Sequence, residues 1–322
     1  MRKFRAWVPI VLLCAAMAGC ITIDVFPGRG PLREFTVSGE GPDKILLVEL
    51  SGLLSTKSPS RWLNEPSLLE RVKAELTLAE EDPRIKALIL RINSPGGTVT
   101  ASDILYHEFR EFRNKRNIPI VAVIMDLGTS GGYYVAMAAD KVVAHPSSVT
   151  GSLGVMMVTL NAQGLLEKVG IEPTTIVSGP KKAMGSPFRA LTEEERRIFQ
   201  GLIDSFHARF IQVIDESRPN LNSEDIRRLA DGRIMTAQQA HEAGLIDRIG
   251  YMDDAIALAK AQAGLTRATV VTYRRSRQKS ANIYSSFDSA PISLTPVPRF
   301  DTMELMHLLS GGAPQFMYVW LP

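Results

Sequence analysis

Asp126-Leu127-Gly128-Thr129-Ser130-Gly131-Gly132-Tyr133-Tyr134-Val135-Ala136 joins two segments of opposite character. Before it, Ile118 to Met125 is apolar and rich in β-branched residues, which reads as a buried strand. After it, Tyr133 to Ala139 carries three alanines and reads as a helix. Ser130 therefore stands between glycines at a strand-to-helix turn. Glycines let the backbone turn sharply and let a ligand approach it closely. A helix start offers unpaired N–H groups and the positive end of a dipole to a developing oxyanion. The bare pentapeptide Gly128-Thr129-Ser130-Gly131-Gly132 also suits a structural turn with a helix cap, so the rest of the chain must decide between the two.

Working outward, Lys44 to Glu49 and Lys86 to Ile92 read as two earlier strands, and Lys141 to Ala144 as a later one. Pro66-Ser67 starts a helix that runs through Glu80, with Leu69, Val72, Leu76 and Ala79 at helical spacing. A second helix spans about Ser102 to Lys115. Strands alternating with helices imply a mostly parallel sheet covered on both faces. Pro95-Gly96-Gly97 follows the strand before Ile118, so two glycine loops close successive strands. In a parallel sheet such loops share one edge, where α/β folds place their sites. The N–H groups of Gly97 and Gly131 could converge there on one oxygen. Thr150-Gly151-Ser152-Leu153-Gly154 is a third tight turn, and an apolar run follows from Val155 to Leu160.

The second half is helical. Thr192-Glu193-Glu194-Glu195 carries a cap and an acidic first turn. Shorter helices are expected over Ser223 to Leu229, Thr236 to Ala243 and Asp253 to Ala263. From Thr272 the composition shifts to a basic cluster, then to Ser and Pro, which reads as a disordered linker. Its tip, Phe316 to Leu321, is apolar.

The chain has 322 residues, 45% hydrophobic and 22% charged, with net charge +3. This suits a globular protein of one or two domains. No Lys/Arg run with interleaved aromatics appears, so nucleic acid is set aside as a partner. Cys14 and Cys20 both lie near the N-terminus, which leaves the body without disulfides or thiolate metal sites. Five scattered histidines include no His-x-x-x-His pair, so no metal is expected. Arg2, Lys3 and Arg5 precede an apolar stretch from Ala6 to Gly19, too short to span a bilayer. Met17-Ala18-Gly19-Cys20 resembles the bacterial lipoprotein cleavage box, which would make Cys20 the lipidated mature N-terminus. The expected organisation is a signal peptide over 1–20, a tether over 21–43, a catalytic domain over 44–265 and a flexible tail over 266–322.

A serine hydroxyl needs a base. His145, in Ala144-His145-Pro146, is one candidate. A lysine kept neutral by burial is another, since Ser–Lys pairs are a variant of the triad logic. Lys181 and Lys182 lie in a Gly- and Pro-bounded segment, although adjacent lysines are ordinarily solvated. The residues alone leave the base open.

Asn93-Ser94-Pro95-Gly96-Gly97, Gly128-Thr129-Ser130-Gly131-Gly132-Tyr133-Tyr134 and Thr150-Gly151-Ser152-Leu153-Gly154 together resemble the signal peptide peptidase A family. Gly185-Ser186-Pro187-Phe188-Arg189 and Asp231-Gly232-Arg233-Ile234-Met235-Thr236 extend the resemblance, which runs from about Lys44 to Leu265. It implies a ClpP/crotonase-like α/β fold, a parallel sheet flanked by helices with a helical C-terminal part. It implies a serine endopeptidase with nucleophile Ser130 and base Lys182, with Ser152 hydrogen-bonding the base and Gly97 and Gly131 as oxyanion donors. No cofactor is required. The implied substrates are residual signal peptides and other apolar segments, cut at the membrane of a bacterial cell envelope outside the cytoplasm. The short, single-unit form of the family implies a homo-oligomeric ring, probably octameric, whose neighbouring subunits share the dyad. Ser130 and Lys182 should then not hydrogen-bond within one chain. The apolar C-terminus, Phe316 to Pro322, is expected to occupy the substrate groove, and truncation at about residue 275 to raise turnover. Two other readings stand beside this one. Gly128-x-Ser130-x-Gly132 fits the nucleophile elbow of an α/β-hydrolase esterase, and a crotonase-like scaffold could lack activity.

Overall fold

A computed structural model of the chain describes residues 31–58, 66–275, 282–285 and 315–321. In chain order the elements are β1 (Arg33–Ser38), β2 (Lys44–Ser51), α1 (Leu68–Glu81), β3 (Ile85–Ser94), β4 (Gly96–Thr98), α2 (Val99–Arg116), β5 (Ile120–Thr129), α3 (Gly131–Ala136), β6 (Lys141–Ala144), β7 (Val149–Gly151), β8 (Met156–Val158), α4 (Gln163–Lys168), α5 (Glu193–Ser217), α6 (Ser223–Leu229), β9 (Ile234–Thr236), α7 (Ala237–Glu242), β10 (Arg248–Ile249), α8 (Met252–Gln262), β11 (Thr269–Arg274) and β12 (Gln315–Val319).

The apolar runs of β2, β3 and β5 are continuous because both faces of the sheet they form are covered. Leu46, Val48 and Leu50, with Leu88, Leu90 and Ile92 and with Ile120, Ala122 and Ile124, bury one face against α1, α2 and α5. The alternate residues, Ile45, Leu47, Ala87, Ile89, Val121 and Val123, bury the other face against α8. The main sheet has the order β1-β11-β2-β3-β5-β6-β10, with β7 paired to the C-terminal half of β5 and β9 to β7. The β11–β2–β3–β5–β6–β10 ladder is parallel throughout. Register pairs Ser94 at the end of β3 with Gly128 near the end of β5, which brings the two glycine loops to one edge.

Helix starts follow the residues that cap them. Ser67 accepts from Glu70 N while Glu70 reaches back to the Ser67 backbone, and Thr192 and Glu195 repeat the same box at α5. Thr98 caps α2, which stops at Asn117 in the left-handed region with Arg113, Lys115 and Arg116 in its last turn.

Two expected boundaries move. The tether expected over 21–43 contains β1, and the tail expected from 266 contains β11 and β12. β11 pairs parallel with β2 and antiparallel with β1, closing that side of the sheet. Arg274, in the basic cluster taken for a linker, is 5% exposed. A third piece, residues 282–285, crosses the α8 side of the sheet. There Ser285 O accepts from Arg91 at 2.6 Å, and Arg91 is also ion-paired with buried Glu49 at 3.0 Å. Cys20, the expected leader over 1–20 and most of the Ser/Pro linker lie outside the described residues.

Candidate active site

The site is built where β3 and β5 end. Ser94 Oγ donates to Gly52 O at 2.6 Å and accepts from Gly96 N at 3.1 Å, which turns the chain out of β3 and into β4. β4 needs its glycines. A Cβ on Gly97 would stand 1.9 Å from Leu54 O, and Gly96 has φ +104°. Leu54 uses one edge of β4, donating to Gly96 O at 2.8 Å and accepting from Thr98 N at 2.9 Å. The other edge carries β12, with Tyr318 opposite Gly97 and Met317 opposite Thr98. The far side of β12 pairs with β8, Phe316 opposite Met157. The C-terminal residues thus form the middle strand of a three-stranded sheet beside the glycine loops.

Ser130 caps α3 with φ +50° and ψ −115°, a conformation seldom tolerated outside glycine. It is held there because Ser130 N donates to Gly151 O at 2.8 Å and Ser130 O accepts from Tyr134 N at 2.9 Å. Thr150 Oγ1 donates to Gly128 O at 2.7 Å, so the 150–154 turn is clamped to the serine turn. Ser152 follows with φ +51°, its N–H donating to Arg233 O at 2.6 Å. Arg233 is in turn braced by Asp231, whose carboxyl this arginine's hydrogen bond and the adjoining backbone N–H hold down at about 2. Gly97, Ser130, Gly131 and Ser152 are therefore gathered by β4, β5, α3 and the 150–154 turn.

Ser130 Oγ is buried and has no hydrogen-bond partner among the described residues. No bond joins it to Lys182. Lys182 lies on an exposed turn over residues 178–186 with its N–H on Gly179 O at 3.0 Å. Neighbouring Lys181 is ion-paired with Glu194 at the start of α5. Nor does a histidine reach the serine: His145 Nδ1 is 2.8 Å from Ser147 Oγ and its ring packs edge-on against Tyr251. The stretch from 159 to 191 that carries the lysines has unusually apolar exposure, with Leu160, Leu165, Val169, Ile171, Ile176 and Phe188 all facing outward.

Reading by residue type missed an aromatic cluster behind the serine turn. Tyr134 stacks on Tyr318 with centroids 5.1 Å apart, and Phe210 lies 4.8 Å from Tyr318. Tyr133 is wholly buried and donates to Leu245 O at 2.6 Å. The signal was present in Tyr133-Tyr134 directly after the glycines, but its partners come from α5 and the last residues of the chain. Among the described residues, no group of three or more His, Cys, Asp or Glu could hold a metal ion, and no helix is long and apolar enough to cross a membrane.

Comparison with known proteins places this arrangement. The model of peptidase family S49 matches residues 112–266, and that of Clp protease matches residues 64–150. A putative signal peptide peptidase SppA of Enterococcus faecium is 35% identical over 252 residues, covering 78% of this chain and 73% of that protein. The chain belongs to peptidase family S49. A putative protease of Synechocystis sp. is 42% identical over 222 residues, covering 69% of this chain and 75% of that one. The chloroplastic serine protease SPPA of Arabidopsis thaliana is 31% identical over 259 residues, 79% of this chain and 38% of the plant protein. This S49 chain is accordingly a serine-type peptidase, and its parallel sheet with flanking helices is ClpP/crotonase-like. The S49 match spans the serine turn, the 150–154 turn, the exposed lysine segment and the helices that follow.

Proposed function

We propose that the chain is an endopeptidase that cleaves residual signal peptides and other apolar segments by a Ser130–Lys182 dyad assembled between neighbouring subunits of a ring. The observation that carries this reading is Ser130 itself. A strained, buried hydroxyl with an unpartnered oxygen, set between two glycine N–H positions, is costly to maintain and useful as a nucleophile. Its base has to come from elsewhere, and the exposed apolar segment carrying Lys182 is the element free to deliver one to the next subunit. Burial against that subunit removes water from the amine and so favours the uncharged base.

The steps balance without a cofactor. The Lys182 amine takes the Ser130 Oγ proton as the oxygen attacks the scissile carbonyl. The N–H groups of Gly97 and Gly131 hold the resulting oxyanion, and Ser152 orients the amine. Collapse breaks the C–N bond, and the Lys182 ammonium protonates the leaving amine. The amine then deprotonates a water that hydrolyses the acyl-enzyme, returning the proton to Ser130. Donation of an extended peptide strand to the β4 and β8 edges would align the substrate, and β12 occupies that place as an internal inhibitor. Lipidation at Cys20 would hold the domain against a membrane of the bacterial envelope, where apolar remnants accumulate.

Cleavage of a fluorogenic apolar peptide by the wild type and by Ser130→Ala, Lys181→Ala and Lys182→Ala tests the assignment. Ser130→Ala and Lys182→Ala should each lose at least about a thousandfold in kcat, with Lys181→Ala near wild type. Full activity in Lys182→Ala with loss in Lys181→Ala would move the base by one residue. Activity lost only on replacing histidines would favour an esterase-like triad.

A further inference from the structure

We infer that the pocket filled by Tyr318 is the pocket for the residue on the acyl side of the scissile bond, and that it selects tyrosine. This rests on the peptidase reading above and names its preferred substrate. The register carries the first step. Trp320 N donates to Pro95 O at 2.9 Å across the β12–β4 pair. Hydrogen-bonded pairs recur at every second residue of an antiparallel ladder. Tyr318 opposite Gly97 is therefore such a pair, and Gly97 N–H faces the Tyr318 carbonyl. The opposite edge of β4 is already taken by Leu54, so this N–H has no other strand to serve. A Cβ built on Gly96 would fall 2.0 Å from the Tyr318 carbonyl oxygen and 2.8 Å from Gly131 N. One carbonyl thus lies between the two N–H groups assigned to the oxyanion, and the residue that owns it occupies the acyl-side position.

The side chain carries the second step. Tyr318 has no exposed surface. Tyr134 stacks on one side of its ring at 5.1 Å and 22°, and Phe210 packs at 4.8 Å and 53°. Its hydroxyl donates to Phe206 O on α5 at 2.8 Å. Ring walls fix an aromatic shape, and an acceptor at the far end fixes a hydroxyl. Phenylalanine would fill the walls and leave the acceptor unused. Leucine would leave a void, and alanine would leave most of the pocket empty.

The test is competition on the full-length protein between peptides that differ only at the residue before the cut, with products located by mass spectrometry. β12 competes equally with every peptide, so it cancels from the ratio of kcat/KM values. Tyrosine should exceed phenylalanine by roughly tenfold, the worth of one neutral hydrogen bond. It should exceed alanine by at least about a hundredfold. Phe210→Leu should shrink the tyrosine-to-leucine ratio without moving the cleavage position. Cleavage after leucine or alanine at the tyrosine rate, with Ser130 still labelled by a serine-directed acylating probe, overturns the pocket assignment alone. No cleavage of any peptide together with no labelling of Ser130 overturns the peptidase reading beneath it.

Discussion

At position 130 conformational strain and chemistry are in direct opposition. A serine at φ +50° and ψ −115° costs about 1–3 kcal/mol relative to a residue without a Cβ. Its hydroxyl recovers none of this, because Oγ has no partner. Ser130→Gly should therefore stabilise the fold by about 1 kcal/mol while abolishing peptidase activity. Urea unfolding checks this as a rise in the midpoint at constant slope. A lower midpoint would mean that the side chain has a structural task. Ser152, also at positive φ beside Gly151, is held by its N–H to Arg233 O and so depends on the Asp231–Arg233 brace.

At the scale of elements, α5 is positioned by its first turn. Glu195 closes the capping box with Thr192 and receives Arg189 in a forked pair. The hydrogen bond from Arg189, then that from Thr192 N, holds its carboxyl at about 2 instead of 4.5. A carboxyl that binds its proton less readily folded than unfolded contributes stability above about pH 4.5. That contribution drains away as pH falls toward about 2. Unfolding midpoints at pH 7, 5 and 3 should thus fall more between 5 and 3 for wild type than for Glu195→Gln, which lacks the titrating group. Equal losses would remove Glu195 from the acid response.

β12 is the second element with a consequence for activity. Its Met317, Tyr318 and Val319 are buried between β4, β8 and α5, so it must leave before a substrate strand can enter. A chain ending at Ser285 keeps β11 and the segment on Arg91, and should cleave peptides several-fold faster than the full chain. Unchanged turnover would mean that β12 does not obstruct the site. β2, β3 and β5 were legible because each is buried on both faces, and an apolar run of that length has few other readings. β1, β11 and β12 were not, because short strands of mixed composition gain their stability from ladders closed over large sequence separations. Arg33 pairs with Arg274, and Gly97 with Tyr318. The glycine loops and Ser130 were legible from spacing and turn chemistry. The Tyr134–Phe210–Tyr318 pocket was not, since its walls come from three distant stretches.

At the scale of the whole molecule, a single chain holds an unpaired serine at one place and an exposed lysine at another. Between 159 and 191 it exposes more apolar surface than a monomer keeps without use, with Ile176 94% exposed. Assembly would cover that surface and, in the proposed ring, bring Lys182 to the Ser130 of the next copy. Sharing of the dyad has a signature that no single-chain mechanism reproduces. Ser130→Ala and Lys182→Ala subunits, each inactive alone, should regain activity when dissociated, mixed and reassembled. In a ring with random placement of equal amounts, one interface in four carries both intact residues, so activity should approach about a quarter of wild type. Activity that stays at the level of the separate variants, in mixed rings verified by native mass spectrometry, would contradict a dyad built across the subunit boundary.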